Sequence, residues 1–219
     1  NKWQLRNVID GFSAVPRFME FTDDGSILVC HEYNGVFKLK LNHDFTKVVK
    51  YQILESAPIS LKSTISKNKG DILYGSDNGI FKYNNEKENF EKDTVLTNDF
   101  YKNDRYVSGK LITDNDTNKL WGFTEKSIIY FTPEKLNNQL KSAKIHLSSK
   151  LRRDLPGYES VLYLNEQKFL FGSSEGYFIL DLNKIEEEDF LIKLNSIEIN
   201  AIDEPQIPVS LNENATFNN

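Results

Sequence analysis

Short apolar runs broken by polar turns recur along the chain, and one of these patterns returns in register. "LYGSDNGIFKYN" (Leu73 to Asn84) reappears, altered, as "LFGSSEGYFILD" (Leu170 to Asp181). Each copy has an apolar lead-in, a Gly-Ser pair, two polar residues, a glycine and a second apolar run. A tight hairpin needs a residue tolerant of positive φ at the turn, which Gly79 and Gly176 supply. The flanking segments are rich in β-branched and aromatic residues, so each copy predicts a β-hairpin. One hairpin alone cannot bury its apolar face. Its repetition predicts stacked or radially arranged units.

Four copies align on the hairpin: Arg17 to Leu41, Lys62 to Asn84, Gly109 to Thr132 and Ser160 to Leu182. Their turn positions are Gly35, Gly79, Ser127 and Gly176, spaced 44, 48 and 49 residues apart. A period of that length with several strands per unit is the pattern of a β-propeller. Within a unit, an inner strand such as "RFMEF" leads through a polar turn to a second strand and through the hairpin to a third. The outer strand is weakest in the pattern, with "KVVKYQIL" and "KDTVL" as its clearer instances. Helical periodicity is nearly absent, although "TPEKLNNQLKS" (Thr132 to Ser142) opens like a helix start. The expected fold is therefore all-β: about four propeller blades over residues 1–189, part of a larger propeller. After Asp189 an acidic connector, one alternating strand and two prolines predict the edge of a different β domain over residues 190–219.

Composition narrows the function classes. The 219 residues include 15 Phe and 10 Tyr but one Met and one Cys, which suits strands better than Met-rich helical cores. Lys and Arg number 27 against 32 Asp and Glu, a net charge of −5. A nucleic-acid surface, which wants a basic stripe, is not expected. The single Cys30 allows no internal disulfide and reads as a small buried hydrophobe. No run approaches the ~18 apolar residues of a membrane-spanning helix. His31, His43 and His146 are scattered without a second ligand at metal spacing, so neither a metal nor a cofactor is expected. The opening "NKWQLRNVID" reads as a piece cut from something longer.

"GDILYGSDNGIFKYN" resembles the repeat of two-component-regulator propellers, whose blades carry a "lwiGT.nGl.ry" pattern. "LPGYESVLYLNEQKFLFGSSEGYFILDLNKI" is similar to the last blade before the triple-tyrosine domain in regulators of this kind from Bacteroidetes. "IKLNSIEINA" would then be the first strand of that immunoglobulin-like domain. The first copy departs from the pattern at "CHEYNG" and the third at "GFTEKS". The resemblance implies the periplasmic sensor portion of a hybrid two-component or related transmembrane regulator, homodimeric in the whole protein. The membrane anchor and the kinase or DNA-binding output would lie downstream.

Candidate chemistry sits in the connections into the inner strands: "IDGFSAVP", "ESAPISLKS", "TNDFYKNDRYVSG" and "KLRRDLPGYES". In a propeller these share one end of the channel with the hairpin turns, on loops held by a rigid frame. Aromatic faces beside forked charged groups suit a sugar. Tyr101, Arg105, Tyr106, Arg152, Arg153 and Tyr158 are the candidates for binding an oligosaccharide or small molecule. No catalytic residue is expected, since neither a phosphate loop nor a nucleophile elbow is present. "SDNGIFKY" shares part of the Asp-box of sialidases but lacks its final Thr-Trp. Two alternatives remain open: a propeller glycoside hydrolase or lyase, and a scaffold for protein partners. Convergence of Asp77, Glu125 and Glu175 on the channel mouth would favour the hydrolase.

Overall fold

The structure, a computed structural model, describes residues 3–133, 140–185, 197–199 and 207–209. The chain divides into two compact units, Asn1–Lys184 and Ile185–Asn219. The first holds four antiparallel sheets, each meandering in chain order. Sheet one is β1 (Phe18–Phe21), β2 (Ile27–His31), β3 (Gly35–Leu41) and β4 (Val48–Ile53). Sheet two is β5 (Thr64–Asn68), β6 (Asp71–Ser76), β7 (Gly79–Asn84) and β8 (Asn89–Lys92). Sheet three is β9 (Tyr106–Asp114), β10 (Lys119–Thr124), β11 (Ser127–Pro133) and β12 (Leu140–His146). Sheet four is β13 (Val161–Asn165), β14 (Lys168–Ser173) and β15 (Gly176–Asp181). In the second unit, β16 (Ile197–Ile199) pairs antiparallel with β17 (Ile207–Val209). β16 falls within "IKLNSIEINA".

The repeated turns occupy matching places. His31 faces Gly35, Ser76 faces Gly79 and Ser173 faces Gly176, each glycine opening its third strand with positive φ. Alternation along the strands gives every sheet two apolar faces. Leu28, Cys30 and Val36 of sheet one meet Ile65, Ile72, Tyr74, Tyr83 and Phe90 of sheet two. Leu73 and Ile80, on the other face of sheet two, meet Leu111, Leu120, Ile129 and Phe131 of sheet three. Trp121, Phe123 and Ile128 then meet Phe169 and Phe171 of sheet four. The first strands of successive sheets lie side by side: β1 by β5, β5 by β9, β9 by β13. Their approach is close. A Cβ on Gly75 would lie 2.2 Å from the Gly109 carbonyl oxygen, and one on Gly109 would lie 2.0 Å from that of Gly75.

Two local expectations are corrected. "KDTVL" is not an outer strand: β8 ends at Lys92 and helix α1 (Thr94–Tyr101) begins. The Asp93 carboxylate caps it, accepting from the Leu96 amide at 2.9 Å. α1 sets Phe100 against sheet three, where a Cβ on Gly122 would overlap its ring. The helix start expected at Thr132 is instead the end of β11, and Lys141 and Ser142 belong to β12; residues 134–139 lie outside the described ones. A short helix α2 (Ser149–Arg152) precedes sheet four.

Candidate functional site

The loops that enter the inner strands and the turns between second and third strands meet at one end of the first unit. There they enclose two adjoining grooves. One, of about 570 Å³, is lined by Glu32, Tyr33, Ile59, Leu61, Asp77, Tyr106 and Glu125 among others. The other, of about 490 Å³, takes in Val15, Pro16, Arg17, His31 and Tyr158 and shares Glu32 and Tyr33 with the first. The first three sheets thus each send a hairpin-turn carboxylate to the same end: Glu32, Asp77 and Glu125.

Hydrogen bonds fix the walls. Tyr74 donates its hydroxyl to the Pro58 carbonyl at 2.6 Å, anchoring the loop before β5, and burial pushes this phenol up to about 12. Tyr106 donates to the Leu61 carbonyl at 3.0 Å, and the Asp77 amide donates to Ser60 Oγ at 3.2 Å. Glu32 accepts from the Lys62 amide at 3.1 Å and pairs with Arg17 at 3.3 Å. The Arg17 guanidinium also lies 4.4 Å from the centre of the Tyr158 ring. Beneath the loop before β9, the Asp104 carboxylate is buried, which alone would raise its pKa. Hydrogen bonds from Thr124 Oγ and the Arg105 and Lys126 amides outweigh this and hold it below the usual range.

The six candidate residues lie in different surroundings. Tyr106 and Tyr158 line the grooves. Tyr101 packs behind Tyr106, ring centres 5.9 Å apart, and burial raises both phenols. Arg105 is largely exposed at the rim, with Nε 3.7 Å from Glu125. Arg153 is exposed and pairs with Glu175, which is not among the residues lining either groove. Arg152, one of the ligand-binding candidates, is only 2% exposed. It donates to Asp154 and to the Thr124 carbonyl, each at 2.8 Å, and to the Leu147 carbonyl. Its work is joining sheet three to the loop before sheet four.

Sequence reading missed Tyr33, Ile59 and Leu61, although all three are more than half exposed at the groove. Their only signal was position, in the first hairpin turn and in the loop "ESAPISLKS". Glu159 was missed too. This carboxylate is 4% exposed and accepts from Ser108 Oγ at 2.7 Å and the Gly157 amide at 2.8 Å. Burial raises its pKa. Cys30 is fully buried beside Ser63, and burial raises its thiol as well. Among the described residues, no group of three or more His, Cys, Asp and Glu could hold a metal ion, and no helix is long and apolar enough to cross a membrane.

No protein-family model matches the sequence, and no curated relative matches it. Among solved structures, an extracellular domain from B. thetaiotaomicron, described as that of the one component system BT4673, is 13% identical with a TM-score of 0.49. The match covers 82% of this chain and 24% of that one. The AA12 carbohydrate-active enzyme of Trichoderma reesei is 11% identical at a TM-score of 0.29, over 81% of this chain and 38% of the enzyme. The extracellular domain of the hybrid two component system BT3049 from B. thetaiotaomicron is 16% identical at a TM-score of 0.44, over 78% of this chain and 22% of that domain. The chain therefore spans about a quarter of the length of the two extracellular domains to which it is similar.

Proposed function

We propose that the four sheets are blades of a β-propeller, part of a larger ring, and that the paired grooves are the ligand face of an extracytoplasmic sensor. The ligand is an oligosaccharide or another hydroxyl-rich nutrient. The second unit is the start of a triple-tyrosine-type sandwich that relays binding toward the inner membrane from the periplasmic side. The observation that carries the reading is the lining of the grooves. Tyr33 in the first hairpin turn, Tyr106 at the start of β9 and Tyr158 in the loop before β13 come from three different parts of the chain, with Ile59, Leu61 and the carboxylates in the same lining. Ring faces stack on sugar rings while the charged groups bond to hydroxyls. Glu32 and Glu125 each lie beside an arginine, which suits holding hydroxyls rather than moving protons.

The test is calorimetric titration of the full chain with oligosaccharide fractions. Tyr106→Ala and Tyr33→Ala should each lose ~1–2 kcal/mol of affinity with the fold intact by circular dichroism. Unchanged affinity in both would remove the grooves as the ligand face.

A second reading, glycoside hydrolysis, is favoured by one observation: Asp77 and Glu125 line the same groove. Paired carboxylates across a cleft are what that chemistry requires. Release of reducing ends from the same fractions, abolished in Asp77→Asn, would establish it and displace the non-catalytic reading.

A further inference from the structure

The face that sheet one turns toward sheet two changes character along its length. Toward the grooves it is apolar, with Leu28, Cys30, Val36 and Leu54 in the joint. Farther along, Lys38, Lys40, Lys50 and Gln52 continue the same face, because Lys38 lies opposite Gln52 and Lys40 opposite Lys50. These side chains line a cleft of about 160 Å³, together with Asp24 from the turn before β2 and Glu88 from the turn before β8. Like charges directly opposite each other in a sheet are unfavourable. The corresponding rungs avoid them: sheet two sets Asn84 against Asn89, and sheet three sets Thr132 against Lys141. Sheet two also answers its own Lys82 with Glu91 opposite and Asp71 at 2.6 Å.

Both carboxylates of the cleft are already engaged. Lys38 Nζ lies 3.0 Å from Asp24 Oδ2 and 3.0 Å from Glu88 Oε1. Hydrogen bonds, led by that from the Thr22 hydroxyl, hold the Asp24 carboxyl below its usual range, so it stays the charged partner of Lys38. Among the described residues, no carboxylate lies within 4.0 Å of the Lys40 or Lys50 ammonium.

We propose that this cleft is a site for a tetrahedral oxyanion, a sulfate or phosphate group, held between Lys40 and Lys50. Ammonium groups from two neighbouring strands reach the oxygens of one such group from two sides, and hydrogen bonds between ions are the stronger kind. The anion turns the repulsion of the two lysines into two attractions. Gln52, on the same face, supplies an amide donor for a further oxygen. A water's share of the liquid is ~30 Å³, so the cleft has room for about five non-hydrogen atoms, the size of one such group. Asp24 precedes β2 and Glu32 follows it, so the cleft lies at the opposite end of that strand from the grooves.

Calorimetric titration of the full chain with sodium phosphate, sodium sulfate and sodium acetate at matched ionic strength tests it. Phosphate and sulfate should bind saturably, and acetate, with only two oxygens, more weakly. Lys40→Gln and Lys50→Gln should each weaken binding about tenfold, the scale of one charged hydrogen bond. Lys47→Gln, an exposed lysine of the same sheet outside the cleft, should leave binding unchanged, as should Tyr106→Ala in the grooves. In buffer free of oxyanions, Lys50→Gln should raise the urea midpoint, since it removes the like-charge pair. Glucose 6-sulfate and glucose 6-phosphate identify the source: esters that bind as tightly as the free ions assign the site to a modified sugar, and free ions alone assign it to an inorganic anion. Acetate binding as tightly as sulfate and phosphate, no saturable binding, or binding that survives in both cleft variants would overturn the proposal.

Discussion

Arg17 holds its guanidinium 4.4 Å from the ring centre of Tyr158 while pairing with Glu32 at 3.3 Å. One side chain therefore links the loop into sheet one, its hairpin turn and the loop into sheet four. Arg17→Gln should lower stability by ~0.5–1 kcal/mol in urea titration, the scale of a cation over an exposed ring. It should also loosen the wall that Tyr158 forms. Tyr158→Ala in the same assay should lose no more than Arg17→Gln does.

Gly75→Ala should be severely destabilising, because the new methyl meets the Gly109 backbone of sheet three, 2.2 Å from its carbonyl oxygen. Backbone cannot step aside as a flexible side chain can, so a loss of more than ~2 kcal/mol is expected. Gly70→Ala provides the contrast. Its Cβ meets nothing within 4 Å, and only its φ of +95° opposes the change, which should cost ~1 kcal/mol. Urea midpoints of the two variants should differ in that order.

Adjacent arginines should behave oppositely. Arg152→Met leaves Asp154 buried without its cation and should cost about 3–5 kcal/mol. Arg153→Met removes an exposed pair with Glu175 and should cost under about 1 kcal/mol. Thermal unfolding of both variants reads the difference directly.

Glu159 supplies a pH dependence of known sign. Its folded pKa is raised above 4.5 by burial, so the protonated form suits the folded state. That contribution is fully present below pH 4.5 and is lost as pH rises from there through the folded value. Glu159→Gln keeps an acceptor for the Gly157 amide and should flatten the urea midpoint over this window. A variant whose midpoint still falls with pH as steeply as wild type would exclude Glu159 as the source.

Pattern alone located the hairpin turns, because a positive φ demands glycine and strands demand alternation. It could not separate Arg152 from Arg153. Their fates differ because Arg153 has a left-handed φ of 51° that turns the chain after α2, sending one guanidinium inward and the next outward. α1 was hidden for a related reason: Thr94 and Val95 read as strand formers, and only the cap at Asp93 reveals the helix. The grooves were half legible. Loops rich in Tyr and Arg drew notice, whereas Tyr33, Ile59 and Leu61 acquire meaning only when segments distant in the chain are brought together. The third copy's odd "GFTEKS" also became intelligible. Gly122 lies opposite Ile129 and makes room for Phe100, whereas Gly75 lies opposite Ile80 and faces Gly109.

The joints between successive sheets give the first unit a grain. Each apolar joint is shared by two neighbours, so damage at one sheet spreads one step in either direction before it weakens. Among the described residues, sheets two and three are braced on both sides. Slow amide exchange should therefore concentrate in β6 and β10, the second strands of the two sheets that carry an apolar joint on each face.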